Sequence, residues 1–179
     1  MKNQYEVRGD IVVIFLKRKN GEVLETIIDT EDLEKANSFR NTWFAHWDKK
    51  KKSYYAQGIF YQKGKYKYTS LHRWLLNEPL GKEVDHINHD TLDNRRLSNL
   101  RAITHAENMQ NYKGPYCDNL TGFRGVEWRK DNKKWRSRGK LNGKNINIGH
   151  FDNLEDAIKV RKEWELKNMP FSADGKKAS

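Results

Sequence analysis

Cysteine is almost missing from this chain: Cys117 stands alone among 179 residues. A single thiol excludes an internal disulfide framework and any multi-cysteine zinc site, and it suits a reducing cytosol. Long apolar runs are missing too. No stretch approaches the roughly 20 residues that a membrane-spanning helix needs, and the polar start Met1-Lys2-Asn3-Gln4 does not open a signal peptide. No internal repeat is visible. Hydrophobic residues amount to only 36% of the sequence, near the low end for a folded protein. Six Trp, eight Tyr and seven Phe offset the shortage, because each aromatic ring buries much apolar area. Acidic residues are outnumbered, with 24 Asp and Glu against 35 Lys and Arg and a formal net charge of +11. The bases are spread along the whole length. Such a field attracts polyanions, and it favours nucleic acid over an acidic small molecule.

The length allows one ordinary domain or two or three small ones. The first third opens with the apolar run 11–16, a turn at Asn20-Gly21 and a return strand over 23–28. Asp29-Thr30-Glu31-Asp32 offers side chains to cap a short helix over 33–39. Residues 49–52 are a basic turn, either solvated or touching phosphate. Residues 54–61 and 66–71 form a hairpin around Lys63-Gly64-Lys65, and a short helix over 72–76 ends before Pro79 and Gly81. Residues 113–119 have linker character, and the polar segment from Phe171 is expected to be a disordered tail. The boundaries expected are 1–56 for an accessory region, 57–113 for a central domain, 114–170 for a third unit and 171–179 for the tail.

The central segment carries the chemistry. Val84 and Ile87 flank the pair Asp85-His86, as in a short strand ending at a polar site, and residues 100–103 are its partner strand. Thr104 and Glu107 make a capping-box pattern, so a helix begins near His105. A hairpin followed by a helix can gather Asp85, His86 and Asn108. An ionised Asp85 is a hard oxygen ligand suited to Mg²⁺, and Asn108 can add a carbonyl oxygen. His86 can take a proton from an attacking water near neutral pH, though His89 or His105 would serve equally on composition. An Asn99 carbonyl can hold one imidazole N–H, leaving the other nitrogen as base. Arg101 and Arg73 are candidate phosphate contacts, as are Lys82, Arg95 and Arg96 in the loops.

From Leu71-His72-Arg73 through Asn111, this segment resembles the HNH nucleases of phage and intron-encoded homing endonucleases. The acid–His pair, Asp93-Asn94, Asn99-Leu100-Arg101, Thr104 and Glu107-Asn108 follow that family's order and spacing. The resemblance implies a ββα-metal unit with His86 as general base, Asp85 as first metal ligand, Asn99 as the asparagine that orients the base, and Asn108 as second ligand. It also implies Mg²⁺, with Mn²⁺ as a possible substitute and no zinc site, and hydrolysis of DNA to 5′-phosphate and 3′-hydroxyl ends. The setting implied is the cytoplasm of a bacterium or phage-infected cell. Many relatives carry His at the last position, where this chain has Asn108.

The third unit follows from counting. Residues 124–130, 134–141 and 144–149 are strands, joined by turns at 131–133 and at Asn142-Gly143. Alternation puts Val126, Trp128, Leu141, Ile146 and Ile148 on one face, and a helix after Asp152, capped by Glu155, covers it. Arg161 falls at the helix border. The opposite face carries Glu127, Arg129, Arg136, Arg138, Lys140, Asn145 and Asn147. Residues 114–150 hold nine Lys or Arg and three Asp or Glu, a net of +6. Such a sheet can enter the major groove, where Arg pairs with guanine and Asn with adenine. This unit resembles an AP2-type DNA-binding domain, from Thr121-Gly122-Phe123-Arg124-Gly125-Val126 through Trp135, Ile148-Gly149-His150-Phe151 and the helix near Leu154. The resemblance places Arg124 with the residues of that face as base or phosphate contacts. The fold class expected is α+β, with double-stranded DNA as partner and a monomer as the simplest state. The alternative is a sequence-specific or regulatory DNA-binding protein whose nuclease core is degenerate.

Overall fold

The computed structural model describes residues 1–111, 121–141 and 143–172. The expected linker 113–119 with Cys117, Asn142 of the tight turn, and the tail beyond Ser172 lie outside the described residues. The chain divides into two compact units, Met1–His105 and Ala106–Ser179, and the architecture is mixed α and β with strands predominating.

The first unit begins with an antiparallel sheet of β1 (Tyr5–Arg8), β2 (Ile11–Lys17) and β3 (Val23–Asp29) in that order. In β2, Val12, Val13, Ile14 and Leu16 are all buried, which is why the run is apolar throughout rather than alternating. A 3-10 turn over Thr30–Asp32 leads into α1 (Leu33–Asn37). A second antiparallel sheet follows, of β4 (Trp43–Asp48), β5 (Ser53–Gln62) and β6 (Lys65–Ser70), and then α2 (Leu71–Leu75). The β5–β6 turn uses left-handed backbone at Lys63 and Gly64, with φ of 51° and 77°, the conformation that two-residue hairpin turns require. β7 (Glu83–His86) and β8 (Leu100–Ile103) close the unit as a separate two-stranded ribbon. The expected boundary between residues 56 and 57 therefore falls inside β5.

Two strands escape the sequence pattern. β1 exposes all four of its side chains, so no burial periodicity marks it. β4 lies in a stretch, Trp43-Phe44-Ala45-His46-Trp47-Asp48, that has no clean alternation.

One core serves the unit. Val12, Ile14, Leu16 and Ile28 of the first sheet meet Phe39, Trp43, Ala56, Leu71, Leu75 and Leu100. Phe39 stacks on Trp43 with centroids 4.0 Å apart, and Trp74 meets Phe39 edge-on at 5.4 Å. Leu100 brings the β7–β8 ribbon into the same core.

The acidic run 29–32 does not cap α1 as expected. Neither the 3-10 turn nor α1 has a side-chain cap hydrogen bond. Asp29 Oδ2 instead accepts the Leu97 N–H at 2.9 Å, and Asp32 accepts from Arg96 Nε at 2.9 Å. These two carboxylates are committed to a loop more than sixty residues away.

In the second unit, β9 (Val126–Arg129), β10 (Lys134–Leu141) and β11 (Lys144–Phe151) pair antiparallel in the order β11-β10-β9. A 15-residue helix, α4 (Leu154–Asn168), covers one sheet face. Its N-cap is Asn153, without a side-chain cap bond, so the expected cap by Asp152 and Glu155 is not formed; Asp152 pairs with Lys134 Nζ at 3.1 Å. Arg161, expected at the border, is buried and pairs with Glu165 at 2.7 Å. Gly139 is needed where it stands, because a Cβ there would lie 2.4 Å from the Trp164 ring. Trp128 is displaced from the core: it is exposed and meets Trp135 edge-on at 5.0 Å. Phe171 and Ser172, placed with the tail by sequence, are held: Ser172 is buried and donates its N–H to Met169 O at 3.0 Å.

Gly58 tests the aromatic core. A Cβ at this position would fall 2.4 Å from Phe39 Cζ and 2.9 Å from Trp43 Cζ3. Both rings are enclosed, so Gly58→Ala should cost about 1–3 kcal/mol, the usual range for overpacking. Urea unfolding should show it as a lowered midpoint with an unchanged slope. An unshifted midpoint would mean that the rings yield freely.

Candidate active site and nucleic-acid interface

The ribbon sets the site. In its register Asp85 stands opposite Arg101 and His86 opposite Leu100. Leu100 anchors the strand in the core, which fixes the height of the two polar residues beside it. Between the strands, residues 87–99 form a loop whose polar groups are largely answered from within. Asn99 donates from Nδ2 to the Asp93 carbonyl at 2.6 Å, and its Oδ1 accepts the Asn88 N–H at 2.9 Å. Ile87 N donates to Asn99 O at 2.9 Å. Asp93 accepts from Asn88 Nδ2 at 2.8 Å and from Arg95 through Nε at 2.8 Å and Nη2 at 2.7 Å. Burial pushes the Asp93 carboxyl up, but the Arg95 guanidinium and the other donors outweigh it and hold it below the usual carboxylate value.

Asn99 thus braces the loop, and the ring of His86 meets the side-chain oxygen of Asn94. His86 Nε2 lies 3.2 Å from Asn94 Oδ1. Asn94 is fully buried, and its Nδ2 donates to Thr26 Oγ1 at 2.8 Å and to Leu92 O at 3.3 Å. The Leu92 carbonyl can only accept, so the amide nitrogen must face it and the amide oxygen must face the imidazole. His86 Nε2 therefore carries the proton, and in the neutral ring Nδ1 carries the lone pair.

The pair Asp85-His86 is buried. Burial depresses the His86 pKa below the ordinary histidine value, against the opposing pull of the Asn94 hydrogen bond and of Asp85, Asp90 and Asp93. A second imidazole adjoins it. His72 of α2 meets His86 edge-on with centroids 4.9 Å apart, and Tyr55 of β5 lies 5.8 Å from His72 and 6.2 Å from His86. Burial lowers the His72 pKa well below the ordinary value, helped by repulsion from His86, Arg73 and Lys51. Both shifts favour the uncharged ring, the state a base requires.

The other histidines stand apart. His105 pairs with Glu83 through Nδ1 at 2.7 Å and is 76% exposed. His89 adopts left-handed backbone with φ of 67°. Several candidate phosphate contacts are engaged within the unit. Arg101 grips Asp85 Oδ2 through Nε at 2.9 Å and Nη2 at 2.7 Å. Arg96 is held by Asp32, and Arg73 by Glu78 at 3.2 Å and the Lys82 carbonyl at 3.3 Å. Asn108 ends α3 (His105–Asn108), at the start of the second unit.

Among the described residues no group of three His, Cys, Asp or Glu side chains could hold a metal ion. Of the two ligands expected from the sequence, the first unit holds Asp85. A carboxylate is the kind of oxygen donor that a hard divalent ion takes, and here Arg101 holds its Oδ2.

The sheet of the second unit gathers the expected face. Arg136 pairs with Glu127 across β10 and β9, Arg138 with Asn147, and Lys140 with Asn145. Glu127 is the hub: its carboxylate meets Arg136, Arg138 at 3.3 Å and Arg129 at 4.0 Å. Arg138, Lys140, Asn145 and Asn147 are exposed. Arg124 is drawn away from this face. It bonds Glu165 Oε1 at 3.3 Å and the carbonyls of Met109 at 3.3 Å and Gln110 at 3.0 Å, with its side chain only 14% exposed. Glu165 is buried and requires countercharge, which sequence spacing does not reveal.

With this geometry in view, the HNH endonuclease family matches residues 77–110, a span that includes Asp85, His86, Asn94, Asn99, Arg101 and Asn108. Protein 3.8 of Escherichia phage T7 is 38% identical over 77 residues, 43% of this chain and 62% of that protein. The chain thus spans less than two thirds of the length of that curated relative. No solved structure matches. Among the described residues no helix is long and apolar enough to cross a membrane. Sequence reading passed over Thr26, Tyr55 and His72 as site residues, and it treated Asn94 only as part of a pattern. An acceptor for Asn94 Nδ2 that lies 68 residues upstream leaves no local mark.

The two depressed histidines give stability a pH dependence with a defined sign. Above the ordinary histidine pKa both folded and unfolded rings are neutral, and the native state is at full strength. As pH falls through that value the unfolded chain takes up protons that the buried rings refuse, so stability declines. Urea unfolding between about pH 7.5 and about pH 5.5 should show this fall, and His72→Gln should flatten it. An unchanged slope in His72→Gln would assign the effect elsewhere.

Proposed function

We propose that the protein is a divalent-metal-dependent endonuclease that hydrolyses phosphodiester bonds in double-stranded DNA, of the homing or nicking type. The observation that carries the reading is the buried Asp85-His86 pair, with the imidazole proton committed to Asn94, inside the segment matched by the HNH endonuclease family. His86 Nδ1 takes a proton from water as the water oxygen attacks phosphorus. The bond from phosphorus to the 3′ oxygen breaks and that oxygen takes up a proton from solvent, leaving 5′-phosphate and 3′-hydroxyl ends. Asp85 provides the carboxylate ligand for the metal, and the sequence pattern assigns the Asn108 amide oxygen as the second. A bound Mg²⁺, or Mn²⁺ in its place, would stabilise the negative charge that builds on the phosphate and the leaving oxygen. Arg101 holds the orientation of Asp85, and Asn99 holds the loop.

The second unit supplies the grip on duplex DNA in this reading, as an AP2-like module. Its exposed Arg138, Lys140, Asn145 and Asn147 combine phosphate and base-edge chemistry on one face, and Glu127 keeps Arg136 and Arg138 ordered before DNA arrives. A second reading, a DNA-binding protein whose nuclease core no longer cuts, draws on one observation: the Asp85 carboxylate is already engaged by Arg101.

Cleavage separates the two readings. Supercoiled plasmid should be nicked or linearised in Mg²⁺, protected by EDTA and cut again when Mg²⁺ is restored. His86→Ala should lower the rate about 10²–10⁴-fold with duplex affinity nearly unchanged, since binding rests on other residues. Binding without metal-dependent cleavage supports the second reading.

The DNA-facing sheet has its own test. Lys140→Ala should weaken duplex binding and reduce the slope of log affinity against log salt by about one unit. A slope equal to that of the unaltered protein would remove Lys140 from the interface.

A further inference from the structure

The segment matched by the nuclease family begins at residue 77, yet the polar network around its base starts fifty residues earlier. The exposed edge of β3 is extended by the loop: Ile27 N donates to Leu92 O at 3.0 Å, Asn94 N donates to Ile27 O at 2.8 Å, and Ile27 and Asp93 form a parallel bridge. Thr26 Oγ1 donates to Leu92 O at 2.7 Å and accepts from Asn94 Nδ2 at 2.8 Å. Both Thr26 and Asn94 have no solvent exposure. Two further bonds brace the same edge, from Leu97 N to Asp29 and from Arg96 to Asp32.

We propose that Thr26 and Asn94 are positioning residues for the base: the N-terminal sheet, through this two-residue relay, holds the His86 ring with its proton on Nε2 and its lone pair on Nδ1. The proposal rests on the nuclease reading only for the consequence in catalysis. The direction of the relay follows from acceptor and donor chemistry alone. Leu92 O accepts from the Thr26 hydroxyl, whose oxygen must then accept from Asn94 Nδ2, which leaves Asn94 Oδ1 for the imidazole N–H. Every step is enclosed, so no water competes for these groups, and a ring turned to the other tautomer would set two acceptors against each other. The first third of the chain is accordingly part of the catalytic unit and not an accessory to it.

The test uses the full chain and two independent readouts. Ring nitrogen NMR of ¹⁵N-histidine protein, without metal and above the histidine pKa, reports which nitrogen of His86 bears the proton. Wild type should show a protonated Nε2. Asn94→Leu, which keeps the volume but not the oxygen, should show mixed or reversed protonation. It should also lower kcat about 10–100-fold, the usual cost of removing a group that orients a site residue, with KM for DNA unchanged. Thr26→Val should act in the same direction less strongly, and Thr26→Ser should restore the wild-type ring signals. If Asn94→Leu does not fold, the Thr26 pair decides the matter. Wild-type ring signals in a folded Asn94→Leu, or in Thr26→Val in that case, would overturn the relay. If the unaltered protein cuts no DNA, the nuclease reading fails while the ring signals still decide the relay.

Discussion

The edge of a sheet presents N–H and C=O groups that must be answered, and the edge of β3 is answered by the loop that carries the site chemistry. Residues 87–99 are rich in Asp and Asn, which cost free energy when buried unless each polar atom finds a partner. Asn94 finds Thr26, Leu92 and His86; Asp93 finds Arg95 and Asn88. Removing the sheet would leave Asn94 with a severed network and a buried amide. The loop's shape and the direction of the His86 ring therefore follow from a strand far outside the matched segment.

The electrostatics look different once the partners are known. A net charge of +11 suggests a surface crowded with free cations, but many arginines are committed to carboxylates within the fold. Arg95, Arg96 and Arg101 pair with Asp93, Asp32 and Asp85, and Arg124 and Arg161 share Glu165. Arginine suits such sites because its planar fork meets a carboxylate at several points and stays charged. On the sheet of the second unit, Arg138 and Lys140 remain exposed.

What the sequence revealed follows from the range of the interactions. The β7–β8 ribbon was legible because Val84 and Leu100 mark the strands beside a polar pair, and the β2–β3 and β5–β6 hairpins because turn residues punctuate them. In the second unit, alternation put Arg138, Lys140, Asn145 and Asn147 at positions that are exposed, but it missed the register shift at Ser137/Arg138 and the exposure of Trp128. The errors arose where a local explanation was available and a distant one prevailed. Asp29 and Asp32 suit a helix cap, yet Leu97 and Arg96 claim them. Arg124 and Arg161 suit a surface, yet the buried Glu165 draws both inward. Asn94 meets His86 through a network that reaches back to Thr26, a separation that no local spacing marks. For the metal ligands the sequence still leads, since the structure contributes Asp85 and its pairing with Arg101.

The bonds from β3 to residues 92–97 tie the site loop and the N-terminal sheet into one cooperative structure. Native-state hydrogen exchange tests it at the amides of Ile27, Asn94 and Leu97, whose bonds cross from sheet to loop. These three should exchange only through the global opening that exposes Val13 and Ile14 in β2, with the same free energy and the same denaturant dependence. Fast, denaturant-independent exchange at Asn94 and Leu97, with β2 still protected, would contradict it, because the loop would then open while the sheet stayed folded.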